Sequence, residues 1–172
     1  MKSPYTHRKI IHSPDDVIGR RESLQWILSR LDNSIDEVDC ISITGERRIG
    51  KSSLIYALTH KVIQEKYLSS PDEFIFIYFD LQRKALFPSP QGFFAEVAKQ
   101  IDNAFVHQRN SEYTELGYRD FEGYLQGLHF NGKKLILLFD EFENMCFPPF
   151  DIDFFNYLRS VVAQYNIGYI TT

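Results

Sequence analysis

Eight consecutive residues, Gly45-Glu46-Arg47-Arg48-Ile49-Gly50-Lys51-Ser52, fit the spacing G-x-x-x-x-G-K-[ST]. Two glycines let the backbone wrap closely around an anion, so that successive N–H groups point inward at a phosphate chain. In such a loop Lys51 reaches the β- and γ-phosphates as a point charge, the Ser52 hydroxyl completes the coordination of Mg²⁺, and Ser53 is placed to bond the α-phosphate. Arg47 and Arg48 either touch phosphate or a partner, or are merely solvated; the residue types leave these open. A second segment, Leu135-Ile136-Leu137-Leu138-Phe139-Asp140-Glu141, is an apolar run that ends in two acids, the Walker B form. Asp140 is the candidate holder of the Mg²⁺ hydration shell. Glu141 is the candidate that positions or deprotonates an attacking water, with Glu143 a second acid close enough to take that part.

These residues do chemistry only if the right elements carry them. Residues 38–44 alternate, are rich in β-branched types and stop at Gly45, which predicts a strand ending in a turn. From Gly50 the pattern becomes helical, with Leu54, Ile55, Leu58, Val62 and Ile63 on one stripe that fades near residue 67. The loop therefore sits between a strand and a helix, which separates it from a glycine turn with a surface lysine. Residues 74–79 and 133–140 are continuous apolar runs, as expected of strands covered on both faces of a parallel sheet. Helices are predicted from Leu24, Ile27, Leu28 and Leu31, from 93–105, from 118–128 and over 154–162, and a last strand over 167–172. The alternation implies a three-layer α/β/α domain on a mostly parallel sheet with right-handed crossovers. Its strand ends would bring both motifs to one crevice. Residues 1–13 show neither period and are expected to form an arm, with the domain over 14–172.

The 172 residues suit one domain, and 44% hydrophobic with 24% charged residues excludes disordered, collagen-like and disulfide-scaffold classes. No apolar run reaches the ~18 residues that span a bilayer, and the first residues lack a leader-like stretch, so a cytoplasmic protein without membrane contact is expected. A net charge of −4 predicts no nonspecific attraction to nucleic acid. Cys40 and Cys146 lack metal-ligand spacing and are expected as small buried thiols, and the abundant phenylalanines as packing residues. The five histidines show no ligand spacing, so no metal beyond the nucleotide's Mg²⁺ is expected.

Taken together, Val17-Ile18-Gly19-Arg20-Arg21-Glu22, the loop with Ser53 and Leu54, and Leu137-Leu138-Phe139-Asp140-Glu141-Phe142-Glu143 resemble the STAND and archaeal-type ATPases of the AAA+-related P-loop class. The resemblance covers nearly all of the chain after residue 13. It implies a sheet of order 5-1-4-3-2, an adenine nucleotide (ATP or ADP) with Mg²⁺, and packing of Val17, Ile18, Gly19 and Arg20 near the adenine. The family's glutamate falls where this chain has Ser23, so the match there stops at the hydrophobic-Gly-Arg part. The resemblance further implies a polar sensor at the end of the strand after Walker B, which Thr171 or Thr172 matches, and a domain cut after its fourth core strand. ATP is implied over GTP, and the guanine-reading Asn-Lys-x-Asp pattern is absent.

Three functions fit these readings. The first is an ATP-binding and ATP-hydrolysing switch that controls self-assembly or the binding of protein partners. The second is an ATPase acting on nucleic acid, of the origin-recognition or transposition-helper kind, which the acidic balance disfavours. The third is a scaffold that holds nucleotide without turnover.

Overall fold

The computed structural model describes residues 19–34, 38–105 and 114–172. The expected arm and residues Val17 and Ile18 lie outside the described residues. Helix α1 (Arg21–Asp32) buries Leu24, Ile27, Leu28 and Leu31, with Glu22 in its first turn and Arg30 in its last, each at the favourable end of the helix dipole. Strand β1 is Ile41–Ser42, shorter than the alternating run predicted. It pairs on one side with β4 (Ile167–Thr171), and the Ile43 N–H continues that ladder to the Thr171 carbonyl. Contact between the two is close: a Cβ on Gly168 would stand 2.5 Å from Val38 Cγ1 and 3.0 Å from the Asp39 carbonyl oxygen. Only glycine fits there.

The single long helix expected after the loop is two helices, α2 (Lys51–Ala57) and α3 (Lys61–Tyr67). Leu58, Thr59 and His60 close tight i−3 turns onto Ile55, Tyr56 and Ala57, and the Thr59 hydroxyl also donates to the Tyr56 carbonyl. His60 is then extended, so the second helix starts afresh and Val62 falls on the exposed side. Strand β2 (Phe74–Asp80) leads through a 3₁₀ segment to α4 (Pro90–Phe105), then α5 (Tyr118–Phe130) and β3 (Lys134–Asp140). Helix α6 (Ile152–Tyr165) is started by Asp151, whose side chain accepts the Phe154 N–H at 2.9 Å, and stopped by Asn166 in the left-handed region.

The four strands are parallel in the order β1-β4-β3-β2, so the mostly parallel, three-layer α/β expectation and the 1-4-3-2 part of the implied order hold. Helices α1, α2 and α3 cover one face over Ile136, Leu138 and Ile170, and α4, α5 and α6 cover the other over Phe79, Leu137 and Phe139. Both cysteines are exposed, which corrects the expectation of buried thiols. Cys40 stands at the rim of an apolar groove beside Tyr169 and Thr171, and Cys146 ends the turn after β3. Among the described residues no helix is long and apolar enough to cross a membrane.

Candidate functional site

The loop from Gly45 to Gly50 stands at the C-terminal edge of the sheet, and its residues Gly45 to Ile49 are exposed. Arg48 (φ 68°) and Gly50 (φ 95°) take left-handed backbone conformations on either side of Ile49, whose N–H donates to the Glu46 carbonyl at 3.4 Å. Gly50 has no strain at that φ, whereas a side chain there would. The Lys51 ammonium curls back over the loop and donates to the Gly45 carbonyl at 3.0 Å and the Glu46 carbonyl at 3.2 Å. Those are weak, exposed contacts that an anion can replace. Behind the loop, the Arg20 guanidinium donates to the Ile49 carbonyl, so the residue that opens α1 is tied to the end of the loop. Glu46 and Arg47 are exposed, and Ser53 faces outward on α2.

Asp140 is the centre of the site. The residue is 6% exposed, and among the described residues it has no cationic partner within ion-pair distance. Three hydroxyls from three elements hold it instead. Ser52 on α2 donates to Oδ1 at 3.0 Å, Thr172 after β4 donates to Oδ1 at 2.6 Å, and Tyr78 on β2 donates to Oδ2 at 2.8 Å. A buried carboxylate held by neutral donors, with no basic side chain against it, is a natural seat for a cation. Among the described residues no group of three or more His, Cys, Asp or Glu could hold a metal ion. The donor set at hand, one hydroxyl and one carboxylate beside a phosphate-shaped loop, suits a divalent cation that also takes phosphate oxygens.

Thr171 and Thr172 separate cleanly. The Thr172 hydroxyl, besides meeting Asp140, accepts the Glu141 N–H at 3.1 Å, while its own backbone N–H donates to the Phe139 carbonyl. Thr171 points to the opposite face, where its hydroxyl donates to Ser42 Oγ at 3.3 Å. Glu141 leaves the strand with a left-handed backbone (φ 57°), which turns its carboxylate out of the sheet. Desolvation, the neighbouring Glu143 and the Asp140 charge push its pKa above the ordinary carboxylate value, and the Gln82 side chain pulls it back. Glu143 itself is exposed.

Three residues were not singled out by the motifs. Tyr78 touches Asp140, Gln82 touches Glu141, and Asp80 is the register partner of Asp140 on the neighbouring strand. The signal available was position: all three stand within three residues of the end of β2, beside the strand that carries the acids. An apolar groove of about 250 Å³ lies on the other face, lined by Phe142, Leu158, Val162 and Tyr169.

A family model described as Novel STAND NTPase 2 matches residues 35–172. No curated protein matches the chain. Among solved structures the fold is similar to the ORC2 protein of Aeropyrum pernix, determined as ADPNP and ADP complexes, with a TM-score of 0.67 at 15% identity over 98% of this chain and 43% of that one. It is similar to a Walker-type ATPase of Pyrococcus abyssi, with a TM-score of 0.61 at 17% identity over 96% of this chain and 48% of that one. Cdc6p of Pyrobaculum aerophilum gives a TM-score of 0.57 at 14% identity over 95% and 41% of the two chains. The chain thus spans less than half the length of each of these structures.

Proposed function

The chain belongs to the Novel STAND NTPase 2 family, and on that premise we propose that residues 14–172 are the core of an ATP-binding, ATP-hydrolysing domain whose nucleotide state switches protein assembly or signalling. One observation carries the reading: the Ser52 hydroxyl, first turn of the loop's helix, meets Asp140 at the end of the acidic strand, 88 residues away in sequence. That bond joins the phosphate loop to a buried carboxylate, and this is the pairing that a magnesium nucleotide needs.

In this reading backbone N–H groups of the 45–50 loop bind the phosphate chain, and Lys51 gives up its loop carbonyls for the terminal phosphates. Ser52 and Asp140 would hold Mg²⁺, which would supply charge neutralisation to the phosphate chain. Glu141, turned out of the sheet, orients the attacking water and takes its proton; its raised pKa favours that second task. Thr172 is the sensor, since it touches both Asp140 and the Glu141 backbone and so registers any shift of either. Arg20 couples the loop to the start of α1, beside which the adenine is expected, with Val17, Ile18 and Gly19. A γ-phosphate shifts an equilibrium only through contacts that differ between two states, and Thr172 and Arg20 are the groups placed to make them. Likeness to the solved structures carries the fold alone, and with a net charge of −4 action on nucleic acid is the weaker reading.

Thermal unfolding tests the core of this. At 100 times its dissociation constant a nucleotide adds about 2.7 kcal/mol, or roughly 5–10 °C at this chain length. Mg-ATP and Mg-ADP should produce that shift in the wild type and not in Lys51→Ala, with Mg-GTP weaker. Equal shifts in wild type and Lys51→Ala would sink the loop as the phosphate site. Turnover above background that Glu141→Gln abolishes would separate a switch from a non-hydrolysing scaffold.

A further inference from the structure

The same face of β2 presents Phe74, Phe76 and Tyr78 in succession toward α1, α2 and α3. Packing alone is served by phenylalanine, as the first two show. The third aromatic is the one next to the site and it carries a hydroxyl, which costs free energy in a half-buried position unless it finds a partner. It finds Asp140 Oδ2 at 2.8 Å. Its ring is held in turn by Tyr56 on the loop's helix, edge to face at 5.3 Å. Ser52 and Thr172 both bond Oδ1, which leaves rotation of the carboxylate about its own axis to be fixed by whatever holds Oδ2.

We infer that Tyr78 is a positioning residue for the divalent cation: its hydroxyl pins Asp140 Oδ2 toward β2 and so keeps Oδ1 turned toward Ser52 and the phosphate loop. The inference rests on the reading of Ser52 and Asp140 as the cation-holding pair. Tyr78 is not a ligand and touches no phosphate. It acts through Asp140, as outer hydrogen-bond partners of metal-binding carboxylates do. Because its ring leans on Tyr56, the same residue ties the orientation of the acid to the seating of the loop's helix.

The test is a titration of the full chain with fluorescent N-methylanthraniloyl-ADP, once in excess Mg²⁺ and once in EDTA, for wild type, Tyr78→Phe, Asp140→Asn and the double variant. Phenylalanine keeps the ring and its contact with Tyr56, and thermal unfolding without nucleotide confirms folding of each variant. Tyr78→Phe should leave the EDTA affinity within about twofold of wild type and cut the gain that Mg²⁺ confers by about tenfold. In the Asp140→Asn background the tyrosine change should cost nothing more, since the two act as one unit. An equal loss in EDTA would make Tyr78 a packing residue and overturn the inference, as would a full effect in the Asp140→Asn background. A wild type that gains affinity from Mg²⁺ alongside a Tyr78→Phe that gains as much would overturn the tyrosine's part alone. A wild type that gains nothing from Mg²⁺ would overturn the pairing of Ser52 with Asp140, and this inference with it.

Discussion

The two faces of one sheet are built for different work. On the α4-α5-α6 face, Phe79, Phe93, Phe94, Phe121, Phe139 and Phe154 are all but inaccessible and touch ring to ring, with Phe94 stacked on Phe121 at 4.5 Å between centroids. On the α1-α2-α3 face the buried residues are mostly aliphatic, and at the C-terminal ends of the strands the apolar sequence gives way to Tyr78, Asp80 and Asp140. Strand parity alone separates them: Phe79 and Phe139 end one face, Asp80 and Asp140 the other, each a single residue further on. Rings of the aromatic face bury large apolar area and add favourable edge and stacking contacts. The loop face gives up part of that burial to a buried carboxylate and the three hydroxyls that bond it. The inaccessible rings thus gather on one side of the sheet, and the carboxylates with their hydroxyl partners stand at the strand ends on the other.

That division can be broken from the aromatic side first. Phe93 meets six other phenylalanines and is fully buried. Phe93→Ala should cost about 3–5 kcal/mol in urea denaturation, while the folded fraction keeps its nucleotide-induced thermal shift. Loss of the shift at a temperature where the variant is folded would show that the faces are not independent. Lys51→Ala is the converse: the roughly 2.7 kcal/mol contributed by saturating nucleotide disappears, and ligand-free stability stays within about 0.5 kcal/mol of wild type. Neighbouring threonines sharpen the contrast further. Thr172→Val removes a donor to a buried carboxylate and should destabilise the ligand-free protein by about 1–3 kcal/mol, whereas Thr171→Val, across the sheet, should stay within about 0.5 kcal/mol. A chemical-denaturation comparison in which the two threonines weigh the same would contradict the parity argument. Last, Asp151→Ala removes the cap of α6 on the aromatic face and should cost about 1 kcal/mol, with no change in nucleotide affinity by titration.

Sequence reading reached some of this and not the rest, for reasons that can be located. Residues 74–80 and 134–140 were legible as strands because a sheet covered on both faces leaves a continuous apolar run. The same continuity hid Tyr78, which in such a run looks like one more packing residue. The break between α2 and α3 was invisible because Leu58 is buried and keeps the apolar stripe going; the interruption lies in the backbone turns and the Thr59 hydroxyl. Thr171 and Thr172 could not be told apart until the register of β4 was known. The bond from Arg20 to the loop ends on a backbone carbonyl, and every residue type offers one of those. The loop motif and the two acids, by contrast, were legible because residue type and spacing together prescribe their chemistry.

The exposed thiols give the chain a use of its own. Cys40 precedes the strand that leads into the phosphate loop, Cys146 ends the turn that follows Glu141, and these are the two cysteines in the sequence. A donor and an acceptor dye attached to them would mark the segment leading into the loop and the turn after Glu141 without any engineered residue. Energy transfer between the dyes would then read, in real time and in the native sequence, whether the loop and the acidic strand draw together when nucleotide arrives.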